Sequence, residues 1–202
     1  MVRTIIKKVE RETQVPDVLI REEIEGKPFY YKGYKAVLNK EKILADIIGS
    51  SGLQSFIVEL LFRFLIIHLP RKDYRIFTNE VGGHIKKGTN LSFDIAVFDR
   101  KILTLDKITP YYTNVPPKIV FEIDVKIDVE EEDAIGYMTT KTETLLNYGT
   151  ELVIWVLTNP KTLLVARPNS EWTFLKWDKD VVLMDEIIPN VAKLIKEEEE
   201  LG

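Results

Sequence analysis

Three carboxylates and a lysine stand at positions from which they could act together. In the stretch 119–127 the odd positions Ile119, Phe121, Ile123, Val125 and Ile127 are apolar, while Glu122, Asp124 and Lys126 occupy even ones. Alternate side chains of a strand share a face, so two carboxylates and an ammonium would line one face within roughly 13 Å at ~3.3 Å per residue. Asp94 interrupts a second apolar run, Phe93 to Phe98, where a lone carboxylate is costly to bury without a partner. If the two strands are neighbours, Asp94, Glu122 and Asp124 converge. Three carboxylates repel unless a cation neutralises them, and oxygen ligands in a chain with no Cys and two His suit Mg²⁺ or Mn²⁺. A nearby lysine could orient or activate a water, or stabilise charge developing on a phosphorane. The plain alternative is an amphipathic strand with one solvated face and a paired core aspartate. The pattern alone weighs the two equally.

The elements that would position these residues follow from periodicity and punctuation. Residues 18–36 read as a β-hairpin, with a turn near Glu25-Gly26-Lys27-Pro28. Ser50 and Ser51 are good N-cap types, and Leu53, Phe56, Ile57, Leu60, Leu61, Phe64 and Leu65 follow at helical spacing until Pro70. Strand character returns at 75–81, closed by Gly82-Gly83, at 91–98, and at 118–127 after the stiff pair Pro116-Pro117. A helix is expected around 139–148, with Gly149 at its C-cap. A buried strand at 152–157, a turn at Asn159-Pro160 and a hairpin partner at 163–166 come next. Further strands are expected at 172–176 and 181–184, then a C-terminal segment, 186–200, with an apolar stripe at Ile187, Ile188, Val191, Leu194 and Ile195. This order gives a mixed α/β domain built on one main sheet.

Composition excludes several classes. The chain has 202 residues, 45% of them hydrophobic and 30% charged, the balance of a globular domain with a sizeable core. The absence of Cys removes disulfide scaffolds, thiolate zinc sites and cysteine nucleophiles, and His68 and His84 alone cannot form a three-histidine site. The net charge is −4, and four of the acids are Glu197 to Glu200, so the rest of the chain is neutral. That is not the basic footprint of a non-specific nucleic-acid binder, though it leaves room for a local basic groove. No secretory signal is read at the N-terminus, and the most apolar stretch, 56–69, is interrupted by Glu59, Arg63 and His68 and is shorter than the ~20 residues of a membrane span. A cytoplasmic protein with no membrane partner is expected, read as a single domain over 1–202: the hairpin at 18–36, a core at about 45–165, and C-terminal strands and helix at 166–202. No GxxxxGK[ST] or GxGxxG pattern is present, so no nucleotide cofactor is expected.

Asp94 followed by Glu122-x-Asp124-x-Lys126 resembles the PD-(D/E)xK nuclease superfamily. More closely, Asn90-Leu-Ser-Phe-Asp94-Ile-Ala-Val-Phe, Pro116-Pro117-Lys-Ile-Val-Phe-Glu122-Ile-Asp124 and Lys141-Thr-Glu-Thr-Leu-Leu-Asn-Tyr-Gly149-Thr-Glu-Leu-Val-Ile-Trp155 resemble the Uma-type restriction endonuclease family. The resemblance covers about residues 45–165. It implies a restriction-endonuclease-like fold, a central mixed sheet flanked by helices, with Asp94 and Glu122 as metal ligands. The chain departs from the pattern where the family has Pro-Asp and this sequence has Phe93-Asp94. It departs again two residues after Glu122, where the superfamily lysine is replaced by Asp124. Two readings repair the second departure. Asp124-Val125-Lys126 is itself a (D/E)xK triplet, or the lysine has moved to the following helix as Lys141, where such family members carry one. Both stay open.

In similar proteins an acid on the preceding strand or the first helix approaches the site. Glu80 and Glu59 are the candidates here, and a solvated glutamate is the commoner outcome for either. Gln54, near the start of that helix, could also reach the cleft. Basic and aromatic residues interleave over Lys27 to Lys35, and 82–88 combines glycines with lysines. Both could touch nucleic acid, and both read more simply as a packed hairpin and a turn. The resulting expectation is an Mg²⁺- or Mn²⁺-dependent endonuclease hydrolysing DNA phosphodiester bonds. Asp94, Glu122, Asp124, Lys126 and Lys141 would be its catalytic candidates, and Asp94, Glu122, Asp124 and Glu80 its metal candidates. DNA would be the partner, with a homodimer where both strands are cut. The alternative is a nuclease-fold protein that binds nucleic acid or a protein without cutting.

Overall fold

Alternating apolar runs give the chain its sheet, and two long helices with apolar stripes cover that sheet's faces. The computed structural model describes residues 15–124, 131–184 and 187–201. Its strands and helices, in chain order, are β1 (Ile20–Ile24), β2 (Lys27–Tyr30), α1 (Tyr34–Leu38), α2 (Gly52–His68), β3 (Tyr74–Lys86), β4 (Thr89–Asp99), β5 (Ile119–Ile123), α3 (Glu131–Tyr148), β6 (Leu152–Leu157), β7 (Thr162–Ala166), β8 (Thr173–Lys176) and α4 (Val191–Glu199). The strands form one mixed sheet in the order β2-β1-β4-β5-β6-β7-β8, with β3 also paired to β4. β5 and β6 are parallel and the other pairs antiparallel. A parallel pair needs a crossover, which α3 supplies.

The two faces of the sheet carry separate cores. Ile119, Phe121, Ile123, Leu152, Ile154 and Val156 point to one face, where Ile57, Leu60, Leu61 and Leu65 of α2 and Val191 of α4 cover them. Val120, Val153 and Trp155 point to the other, under Tyr137, Met138 and Leu145 of α3. α2 starts as its sequence indicates: Ser51 Oγ accepts from Gln54 N at 3.2 Å, and Gln54 Oε1 accepts from Ser51 N at 3.0 Å, a reciprocal cap for the orphan N–H groups of the first turn.

β4 is the strand that organises the site. β3 pairs along one of its edges from Thr89 to Asp99. Its other edge is shared: β1 meets it at Asn90, and β5 meets it at Ile95, Ala96 and Val97. Between those two contacts, around Ser92 and Asp94, the edge has no strand partner among the described residues. Backbone groups there must be satisfied by side chains if they are buried.

Several expectations are corrected. The hairpin does not run as strand to residue 36. Gly33, at φ +87°, turns the chain into α1, a conformation glycine adopts without steric cost. Gly82-Gly83 does not close β3, which continues to Lys86. The two glycines instead allow close packing, because a Cβ on Gly82 would lie 2.3 Å from the Tyr112 ring and one on Gly83 would lie 2.6 Å from the Phe93 ring. Among the described residues β5 runs Ile119–Ile123, Asp124 follows it at φ +59°, and the expected continuation over 125–127 lies outside the described residues. Residues 181–184 form no strand but a single bridge, Met184 to Ile187. The last helix begins only at Val191, after Pro189, capped by Asn190 Oδ1 accepting from Lys193 N at 3.0 Å.

Candidate active site

The fork in the edge of β4 is filled by ionisable side chains. The β4–β5 register pairs Ile95 with Phe121, and one further step sets Asp94 opposite Glu122. The Asp94 carboxylate reaches past the strand end and accepts from Ile123 N at 2.7 Å. From β1, Glu22 lies on the inward face with Ile24 and fills the other side of the gap. Its Oε1 accepts from Ser92 N at 3.1 Å and from Ser92 Oγ at 3.0 Å. From α3, Lys141 comes down between the strands. The i, i+4 spacing of Tyr137, Lys141 and Leu145 places all three on the sheet-facing side of the helix. Lys141 Nζ donates to Glu22 Oε1 at 2.7 Å and to Ser92 O at 2.8 Å, and lies 3.0 Å from Glu122 Oε2. Tyr137 OH donates to Glu22 Oε2 at 2.6 Å. Trp155, paired with Glu122 across β5 and β6, places its ring 5.6 Å from the ammonium and anchors Nε1 on Thr142 Oγ1 at 2.9 Å.

These groups are out of water. Asp94 is 3% exposed, Glu122 4%, Glu22 2% and Lys141 1%. The solvated strand face weighed for Glu122 is therefore corrected: it lies between the sheet and α3.

The two glutamates on Lys141 are not equivalent. Burial pushes Glu22 up, but Lys141, Tyr137 and Arg21 outweigh it and hold the carboxyl below its ordinary range. Burial, together with the neighbouring Asp94 and Glu22 charges, pushes Glu122 up to about 8 despite Lys141. The hydrogen bonds explain the difference, since Glu22 accepts four, whereas Glu122 Oε1 is buried with no partner. Burial lowers Lys141, but Glu122 and Glu22 outweigh it and raise it, so the lysine is a fixed cation.

The signs set opposite pH dependences. Glu122 binds its proton more tightly in the folded chain than in the unfolded one. Its contribution to stability is full below the ordinary carboxylate range and is lost as pH rises toward about 8. Glu22, held low, contributes fully above the ordinary range and loses its contribution on acidification. In chelator-treated protein, Glu122→Gln is expected to flatten the fall in denaturation midpoint on the alkaline side while leaving the acid-side loss. An unchanged alkaline slope would refute this assignment.

The other candidates lie around this centre. A β-bulge sets Asn79 and Glu80, at φ +71° and +54°, opposite Asp94, and bulges of this kind re-aim side chains beside functional sites. Glu80 Oε1 pairs with Arg21 Nη1 at 3.0 Å. Asp124 is held by Thr158, whose N–H and Oγ1–H donate to its two oxygens at 2.7 Å each, and by Gln54 Nε2 at 3.4 Å. Asp124→Ala removes these bonds from a residue at positive φ and is expected to cost about 2 kcal/mol. Asp124→Asn, which tolerates that φ, should cost about half as much, and a urea titration showing equal costs would exclude the bonded role. Lys126 lies outside the described residues. Glu59 is on the exposed part of α2, paired with Arg63.

Arg21, Tyr31, Lys32, Lys42, Gln54 and Glu80 line a cleft of about 760 Å³, together with Asp124 and Thr158. Asp94, Glu122 and Lys141 do not line it. Of the aromatic run after Lys27, Phe29 packs on Tyr137 at 5.1 Å between centroids and Tyr30 stacks on Tyr34 at 4.6 Å. Only Tyr31 and Lys32 of that run reach the cleft. Sequence reasoning missed Glu22, Arg21 and Tyr137. The available signal was that Glu22 shares strand parity with Ile20 and Ile24, the inward side of the hairpin.

Among the described residues no group of three or more His, Asp or Glu is gathered as a metal cage. The pair Asp94 and Glu122 nevertheless has the right chemistry for Mg²⁺, which binds through one or two carboxylates and keeps several waters. Glu122 Oε1 is buried without a hydrogen-bond partner, and burial is the largest cause that raises the carboxyl, so one oxygen is available there to a cation. No helix among the described residues is long and apolar enough to cross a membrane.

No family model matches the chain, and no curated protein matches it. Among solved structures, the chain is similar to a protein from Anabaena variabilis described as "a putative nuclease belonging to DUF820". The TM-score is 0.61 at 18% sequence identity, over 87% of this chain and 89% of that one. The likeness shows a shared fold, a mixed sheet flanked by helices that is also found in a protein so described.

Proposed function

We propose that this chain is a metal-dependent nuclease that hydrolyses DNA phosphodiester bonds, with its centre at the fork of β4. The observation that carries the reading is Glu122, a buried carboxyl with one oxygen on Lys141 and the other without a partner, one step across the sheet from Asp94. Asp94 and Glu122 would hold Mg²⁺ or Mn²⁺, which when bound supplies positive charge to a phosphate and acidity to a water. The chain's own residues do the rest. Ile123 N–H fixes the Asp94 carboxylate. Lys141 holds Glu122 in place as a permanent cation and is itself held by Glu22. Lys32 and Lys42, exposed on the cleft wall, offer positive charge to the phosphates of an incoming strand.

One observation favours the second reading, a nuclease-fold protein that binds without cutting. Glu22, Ser92 O and Glu122 engage all three donors of the Lys141 ammonium, so this lysine has none left to direct a water. Nicking of supercoiled plasmid in Mg²⁺ or Mn²⁺, with calorimetric metal titration, separates the readings. Metal binding and nicking that both depend on Glu122 support the nuclease. DNA binding with neither supports the second.

A further inference from the structure

A second concave surface, of about 720 Å³, lies at the far part of β3, lined by His84, Asn90, Lys107, Thr109, Tyr111 and Tyr112 among others. Tyr112 is unusual in being both fixed and open. Its ring lies over Gly82, so that a Cβ there would stand 2.3 Å, 2.5 Å and 2.7 Å from three ring carbons. The next residue is bonded into β3, with Thr113 N donating to Gly82 O at 2.9 Å and His84 N donating to Thr113 O at 2.8 Å. Yet Tyr112 is 57% exposed and its neighbour Tyr111 83%. A large ring backed by a strand and bare toward solvent loses little freedom when something stacks on it.

Its surroundings indicate what stacks. Lys107 uses one donor on Ile102 O at 2.9 Å and has two more. His84 Nδ1 and Asn90 Oδ1 lie 2.7 Å apart, which leaves the Asn90 amide N–H groups for a polar edge. A π-face with an ammonium and an amide beside it is the chemistry that holds a base and its phosphate. The place and the first cleft lie along the same strand: Glu80 of β3 lines the cleft, and Gly82, under the Tyr112 ring, follows it by two residues.

We propose that Tyr112, flanked by Tyr111 and Lys107, is a stacking subsite for an unpaired base, so that the cleft receives single-stranded DNA. This rests on the nucleic-acid reading above. The test is fluorescence anisotropy of a labelled oligothymidine, beside a duplex containing the same strand, with Ca²⁺ present. The proteins are the wild type, Tyr112→Ala and Tyr112→Phe, each checked for folding by circular dichroism. Tyr112→Ala should weaken single-strand binding roughly 5- to 100-fold, Tyr112→Phe should retain it, and the duplex affinity should hardly change. Equal single-strand affinity in wild type and Tyr112→Ala would overturn the subsite and leave the nuclease reading standing. An equal loss on both DNA forms would also overturn base stacking. Binding of neither form by the wild type would overturn the nucleic-acid reading and the subsite with it.

Discussion

Lys141→Met should be among the most destabilising single substitutions in this chain, at about 3–5 kcal/mol. The lysine is 1% exposed and is the ammonium against two buried glutamates. Removing it leaves Glu22, the more acidic of the two, with three of its four hydrogen bonds and without its closest counter-ion. Glu122 adds less to the penalty, because its raised pKa already favours the neutral form. A domain with 5–15 kcal/mol of total stability would lose a large part of it, and a urea titration would read the loss directly. Acidification should recover part of it by neutralising Glu22. Adding Glu22→Gln to Lys141→Met should recover more than the two single effects allow by addition, since groups in one network couple by about 0.5–3 kcal/mol. A loss below about 1 kcal/mol for Lys141→Met would mean that the network is not the ionic centre its geometry indicates.

Glu122→Gln should have the second large effect, on catalysis rather than stability. Gln keeps the shape and one acceptor for Lys141, and it replaces a carboxyl that burial already pushes toward its neutral form, so the fold should persist. What it removes is the ability to become a carboxylate ligand. Metal-centred charge stabilisation is worth several kcal/mol, so nicking should fall about 10³-fold or more, with metal affinity falling alongside. Asp94→Asn should lower both as well. It should also weaken the acceptor for Ile123 N and let the Glu122 pKa move back down, because Asp94 is one of the charges raising it. Full nicking by Glu122→Gln would remove this centre from the reaction.

The sequence by itself determined the chemistry available and most of the elements. With no Cys and only two His, oxygen is the ligand type that a metal would meet in this chain. The helical spacing from Ile57 to Leu65, bounded by Ser51 and Pro70, specified α2, and the apolar runs specified β4, β5 and β6. These signals are local, carried by the period of side chains along a few turns or a few strand residues. Where a local signal pointed the wrong way, tertiary packing decided otherwise: Gly82 and Gly83 admit aromatic rings rather than end a strand.

Only the tertiary structure decided which charges meet. Glu22 and Lys141 are 119 positions apart, and nothing near either residue encodes the other. They meet because β1 and β5 share one edge of β4 and leave a gap between them. The gap frees backbone groups of Ser92, which a buried carboxylate and a buried ammonium then satisfy. Strand parity can say that Glu22 faces inward. That it faces a lysine from α3, and thereby leaves Glu122 as the carboxyl short of a partner, depends on burial removing water as the alternative partner for each group.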